Sequence, residues 1–240
     1  MSRQDRKQVA TAGGSRRPVT TETAWQSLLQ GAKELIKTLG PAILIALVVR
    51  SSVVQAFWVP SGSMKPTIQI GDHIFVNKLA YTVRMPLIDT PLTDIQSPER
   101  GDIVVFVRPG DPKTDLIKRV IAVAGDTVEI KRKKLFINGV AVPDSHAHFE
   151  DPLSNLPRDN MQARKVPPRQ FFVMGDNRDR SYDSRFWGFA NIEAIKGRAT
   201  FVYWSRDSQS CWKELRRKGL SEVFSPTCLP RWRRFGIHIQ

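Results

Sequence analysis

The runs Asp102-Ile-Val-Val-Phe-Val107, Leu116-Ile-Lys-Arg-Val-Ile-Ala-Val123, Thr127-Val-Glu-Ile130 and Leu135-Phe-Ile-Asn-Gly-Val-Ala-Val142 decide the fold class. Each is rich in β-branched and aromatic residues and too short for a helix. Gly101-Asp102, Gly110-Asp111 and Gly125-Asp126 mark turns between them, and Asn138-Gly139 is the strongest short-range hairpin signal. Working outward, Ile68-Gln-Ile70 and His73-Ile-Phe-Val76 flank Gly71-Asp72, while Phe171-Phe-Val-Met174, Gly175-Asp176 and Ala199-Thr-Phe-Val-Tyr-Trp204 repeat the pattern downstream. The expected class is mainly β, with an antiparallel sheet. Residues 143–170 hold Pro143, Pro152, Pro157, Pro167 and Pro168 among polar residues and read as a long loop or a small insertion.

The N-terminal part follows another pattern. Residues 1–22 are polar and basic, with Gly13-Gly14, Arg3, Arg6, Lys7, Arg16 and Arg17, and read as a disordered tail. Residues 23–58 hold an amphipathic lead-in, with Trp25, Leu28, Leu29, Ala32, Leu35, Ile36 and Leu39 at helical spacing. It continues into the charge-free stretch Gly40–Val49, passes Arg50-Ser-Ser52 and resumes as Val53–Val59. Crossing a bilayer takes roughly 20 helical residues, which Thr38–Phe57 supplies if Arg50 snorkels. A buried helix of a soluble protein and a cleaved secretory signal are the alternatives. The flanking Lys and Arg, with Phe57 and Trp58 at the far end, favour a retained single transmembrane helix. A positive tail then stays in the cytoplasm, and residues 59–240 form an exported β-rich body.

Lys and Arg number 37 against 23 Asp and Glu, a formal net charge of +14, so an anionic partner is expected, either nucleic acid or an anionic membrane surface. The last thirty residues carry Lys213, Arg216, Arg217, Lys218, Arg231, Arg233 and Arg234 beside Trp212, Phe224 and Trp232. No helix-turn-helix, zinc-finger or RNP pattern accompanies them, so no nucleic acid is expected and a solvated basic surface near anionic lipid is the cheaper account. Cys211 and Cys228 exclude a disulfide-dense scaffold, and their spacing leaves a bridge unassigned. His146-x-His148 lacks a third ligand nearby and reads as decoration of the insertion, with no metal expected.

Pro60-Ser-Gly-Ser-Met-Lys-Pro-Thr67 places hydroxyls in a turn between prolines. A serine nucleophile needs a base, and none of the four histidines sits in a hydrolase motif; the G-x-S-x-G elbow is also absent. A lysine serves if burial lowers its pKa from about 10.4, and Lys118 lies among Leu116, Ile117, Val120, Ile121 and Val123. Pattern alone favours the other reading, in which Lys118 points outward from an alternating strand.

Four blocks together resemble the bacterial type I signal peptidases, also called leader peptidases. They are Pro60–Thr67, Gly71–Lys78, Arg100–Phe106 with Ile117-Lys118-Arg119-Val120, and Gly175–Arg185, in the family's order. The resemblance implies a membrane-anchored serine endopeptidase that cuts signal peptides from exported preproteins at the outer face of the bacterial cytoplasmic membrane. It implies Ser63 as nucleophile, Lys118 as general base, and the Ser63 N–H with the Ser61 hydroxyl as oxyanion hole. Ser181 would orient the lysine amine, and Asp183 with Arg185 would form a supporting ion pair. No cofactor is implied. Shallow apolar pockets for small side chains are implied too, with Ile74 and Val76 as candidate walls. Asp176 and Arg178 read as structural turn and salt-bridge residues. Two competitors remain: a self-cleaving repressor-type Ser/Lys protease, which needs an N-terminal DNA-binding helix-turn-helix, and a membrane-tethered basic binding protein without activity.

Overall fold

The computed structural model describes residues 21–84, 91–153, 157–218 and 228–239. The chain divides into two units at Ala46/Leu47. Helix α1 spans Thr21–Ser52, so it begins inside the stretch expected as tail, the rest of which lies outside the described residues. Trp25, Leu28, Leu29, Leu35, Ile36, Ile43, Leu44 and Ile45 are all exposed along it. Among the described residues no helix is long and apolar enough to cross a membrane. The expected span to Phe57 is also shortened by strand formation. Beyond Ser52, Val54–Trp58 is strand β1, where β-branched and aromatic side chains suit a pleated surface better than a helix.

Among the described residues of the second unit, the paired strands run antiparallel. Further strands are β2 (Asp72–Asn77), β3 (Thr82–Arg84), β4 (Pro91–Asp94), β5 (Ile103–Arg108), β6 (Asp111–Val123) and β7 (Thr127–Lys131). They continue with β8 (Lys134–Ile137), β9 (Val140–Ala141), β10 (Met161–Lys165), β11 (Gln170–Met174), β12 (Ala190–Asn191) and β13 (Ile195–Ser205). Among the described residues of this unit, α-helices form at α2 (Ser184–Trp187) and α3 (Ser208–Lys218). The main sheet has seven strands in the order β1-β2-β13-β5-β6-β11-β12, and a smaller sheet runs β10-β7-β8-β9. The strands β3 and β4 pair separately.

Strand β6 is central, flanked by β5 and β11, and residues Lys118 to Ala122 are all buried. Alternation along its neighbours feeds a core on each side. Val104, Phe106, Phe171 and Val173 pack with Val120 and Tyr81. Ile103 and Val105 pack on the other side with Val59, Met64, Ile68, Ile74 and Val76. A strand covered on both faces reads as a nearly continuous apolar run, which is why the period-two signal fades here.

One expectation is corrected. Ile68–Ile70 is not a strand: its amides serve a turn, with the Ile68 N–H donating to Met64 O at 2.9 Å and the Gln69 N–H donating to Asp72 Oδ2 at 2.8 Å, while Ile68 fills the core. Residues 143–170, expected as a long loop or a small insertion, contain β10, which pairs with β7 and completes the small sheet. The Asn138-Gly139 turn has φ of 53° and 82°, the left-handed pair that a two-residue hairpin requires.

Candidate active site

Ser63 sits in the turn-rich loop from Val59 to Asp72, which joins β1 to β2. The base of that loop is closed by the Val59 N–H on Asp72 O and the Gly71 N–H on Val59 O, both 2.9 Å. Lys118 projects from β6, opposite Val104 in the ladder. Its Nζ lies 2.6 Å from Ser63 Oγ, and both residues are buried. The amine donates when protonated and accepts the serine proton when neutral.

Burial is the main influence on Lys118, pulling its pKa from 10.5 to about 8; the carboxylates of Asp183 and Asp176 oppose this and the Arg185 guanidinium assists. An amine so poised is a usable general base near neutral pH. The outward reading of Lys118 is therefore not the one the fold adopts.

The neighbouring charges are fully engaged. Asp183 accepts from Arg185 Nε at 2.8 Å and from Arg185 Nη2 at 2.9 Å, and its Oδ2 also accepts the Gly175 N–H at 3.0 Å. Arg185 further donates to the Arg178 carbonyl at 2.6 Å, so this pair fixes the path of the chain after β11. Asp176 is held by Arg119 Nε and Nη2, each at 2.8 Å, and by the Thr67 hydroxyl at 2.5 Å. Arg178 pairs with Asp144 and donates to Gly175 O at 3.0 Å. The Asn177 N–H donates to Ser63 O at 3.0 Å, tying Ser63 to the same loop.

A cavity of about 250 Å³ opens beside Lys118, lined by Trp58, Ser61, Ile74, Leu116, Ile117 and Lys118 among others. Ser61 is exposed there, while Val76 is buried in the core and forms no part of the wall.

A profile of the family described as "Signal peptidase, peptidase S26" matches residues 32–204. This chain belongs to that family. Signal peptidase I of Pseudomonas aeruginosa is 41% identical over 179 residues, and the match covers 65% of this chain and 63% of that protein. Signal peptidase I of Pseudomonas fluorescens is 38% identical over 202 residues, covering 70% of this chain and 71% of that one. A crystal structure of a signal peptidase I from Enterococcus faecalis overlaps 43% of this chain and 97% of its own, at 31% identity and a TM-score of 0.38, an overlap too limited to carry an argument.

In this member of the signal peptidase family, the hydrogen bond made by the Lys118 amine is to Ser63 Oγ. Ser181 Oγ is buried beside Gly175 and has no hydrogen-bond partner among the described residues. Gly175 is required for room and not for a positive φ: a Cβ there would lie 2.4 Å from both Ser63 O and Ser181 Oγ. Arg119 and Thr67 were not singled out by sequence reasoning, although Arg119 directly follows the candidate base. Another correction concerns the basic C-terminal stretch. Arg234 is largely buried and bonded inward to Asp72, and Arg231 reaches the Ile70 carbonyl, so these two do not form a solvated face. Phe224, named with them, lies outside the described residues. Cys211 and Cys228 form a disulfide, both buried, with Cα atoms 4.6 Å apart.

Proposed function

We propose that the chain is a membrane-anchored serine endopeptidase that removes signal peptides from exported preproteins, with Ser63 as nucleophile and Lys118 as general base. The observation that carries this reading is the 2.6 Å contact between Ser63 Oγ and a buried lysine whose pKa is drawn to about 8. Neutral Lys118 takes the hydroxyl proton as Ser63 Oγ bonds to the scissile carbonyl carbon. The C–N bond then breaks, and the lysine returns the proton to the leaving amine. Water, deprotonated by the same lysine, hydrolyses the ester and restores Ser63. The Ser63 N–H and the Ser61 hydroxyl are the proposed donors to the oxyanion, a contribution worth about 3 kcal/mol of barrier per donor in comparable sites.

The apolar walls beside Lys118 suit small uncharged side chains of an extended peptide. Anchoring is assigned to α1, whose apolar side chains are exposed and whose Gly40–Val49 stretch carries no charge. A basic tail held in the cytoplasm places the body outside, and the Cys211–Cys228 bridge suits an oxidising compartment. The exposed Trp212 of α3, with the exposed Lys213, Arg216 and Arg217 beside it, suits the surface of an anionic bilayer.

The test is cleavage of a purified preprotein by wild type and by Ser63→Ala, which deletes one hydroxyl and little packing. Loss of cleavage with unchanged thermal unfolding is expected, and substantial turnover by Ser63→Ala would overturn the assignment. Protease added outside spheroplasts should digest the body and spare the N-terminal tail.

A further inference from the structure

The dyad explains neither the inward-facing C-terminal arginines nor the disulfide that precedes them. One flank of the Ser63 loop is tied to the residues after β11, through Asn177 on Ser63 and Asp176 on Thr67. The other flank is tied to the far end of the chain. Arg234 Nε donates to Asp72 Oδ1 at 3.0 Å, and its Nη2 donates to Asp72 Oδ2 at 2.6 Å and to the Thr67 carbonyl at 2.9 Å. Asp72 is fully buried and accepts from the Ser205 hydroxyl at 2.6 Å as well. Arg231 donates to Ile70 O at 2.9 Å, pairs with Asp207 at 3.2 Å, and has its N–H on Ser205 O at 2.8 Å.

Thr67 is the meeting point. Its carbonyl is held by Arg234, and its hydroxyl is held by Asp176, whose other partner Arg119 adjoins Lys118 on β6. The Ser63 loop is thus gripped between two guanidinium–carboxylate forks, and such bidentate pairs fix geometry as well as supply energy. Cys228 lies three residues before Arg231, and its bond to Cys211 of α3 joins this segment to the residues after β13. The Arg206 N–H there donates to Gly71 O at 3.0 Å, at the foot of the same loop.

We propose that Arg234 is a positioning residue for Ser63, acting through Asp72 and Thr67, and that the Cys211–Cys228 bridge keeps the segment carrying it in place. This rests on the Ser63/Lys118 reading. Arg234 touches no reacting atom; it sets where the loop stands relative to β6. Misplacement of a nucleophile by about 1 Å costs on the order of 100-fold in rate, so a clamp of this kind acts on kcat before KM.

The experiment compares full-length wild type, Ser63→Ala, Arg234→Gln, Arg234→Lys, Arg233→Gln and the double variant Cys211→Ser/Cys228→Ser. Preprotein cleavage is measured for kcat and KM separately, with thermal unfolding recorded for each. Arg234→Gln is expected to lose at least about tenfold in kcat with KM within about twofold, and Arg234→Lys to recover part of the loss. Arg233→Gln, an equal charge change at an exposed neighbour, should behave as wild type. The double serine variant should lower kcat in the same direction and add little on top of Arg234→Gln, since both act through one clamp. Unchanged kcat in a folded Arg234→Gln enzyme, or an equal loss in Arg233→Gln, overturns the proposal. If Arg234→Gln does not fold, the decision passes to Arg234→Lys and the double serine variant, and wild-type kcat in both overturns it. Cleavage by Ser63→Ala would instead remove the nucleophile assignment, whatever the arginine variants do.

Discussion

The backbone N–H of Asn177 donates to the carbonyl oxygen of Ser63 at 3.0 Å, so the peptide group of the proposed nucleophile is held by the loop that leaves β11. Gly175 permits that approach, because a Cβ at this position would lie 2.4 Å from Ser63 O. Backbone atoms cannot step aside as a flexible side chain does. Gly175→Ala is therefore expected to separate the two loops, lowering preprotein cleavage by about 100-fold and stability by roughly 1–3 kcal/mol. Steady-state kinetics and thermal unfolding check both numbers; wild-type kcat in the alanine variant would show that the loops part without disturbing Ser63.

With Lys118 as the proposed base, its titration sets the acid limb of activity. With its pKa drawn down to about 8 by burial, the amine is increasingly protonated below that pH and stops acting as a base. The logarithm of kcat/KM should rise with unit slope up to about pH 8 and then level off. Lys118→Arg should be inactive at every pH, since a guanidinium does not deprotonate in proteins. A flat profile between pH 6 and 9 would be incompatible with a lysine base.

The same buried amine costs stability. Its folded pKa lies below the unfolded value, so the folded state binds fewer protons and the cost is fully present below about pH 8, fading as pH rises toward 10.5. Lys118→Met should raise stability at pH 7 by an amount of order 3 kcal/mol while abolishing cleavage. The gain should shrink to near zero around pH 11. Denaturant unfolding of wild type and variant at the two pH values measures it, and equal stability at pH 7 would mean that Lys118 is not desolvated.

Asp183 separates a structural effect from an electrostatic one. Asp183→Asn leaves the Arg185 guanidinium buried without its counter-charge, which should cost about 3–5 kcal/mol of stability. The Asp183 carboxylate also opposes the fall in the Lys118 pKa, so its neutralisation should move the acid limb of kcat/KM to lower pH. A limb that stays in place or moves upward would show that the Asp183 charge is not felt at Lys118.

The strands around Lys118 could be read because each bears a dense apolar run between Gly-Asp turns, and the Asn138-Gly139 hairpin because its residues tolerate positive φ. The turn between β7 and β8 was hidden, since Arg132 and Lys133 occupy φ of 46° and 67° without the usual residues. Tertiary contacts hold them there: the Arg132 N–H donates to Asn160 Oδ1 at 3.0 Å, and Lys133 Nζ reaches Asp151 O at 2.5 Å and Asp179 at 3.2 Å. At the site, the turn around Ser63 and the buried lysine follow from residue type plus resemblance. The grip of Arg234 on Asp72 spans 162 residues and leaves no local pattern. Basic residues in a run suggest a wet surface, and only the fold reveals which of them turn inward. The strand β1 was hidden because its apolar residues prolong those of the preceding helix.

Lys118 and Arg119 are consecutive on β6, and their side chains take different work: one meets Ser63, the other Asp176. Successive residues of a strand point to opposite faces, so slipping β6 by a single residue against β5 would exchange the two. A group that can release its proton would give way to one that cannot, and Ser63 would face a permanent cation. The pairing frame between Ile103–Val105 and Ile117–Arg119 is thus an on–off determinant of the chemistry. Single-residue insertions or deletions in β6 upstream of Lys118 should silence the enzyme even where the sheet still forms.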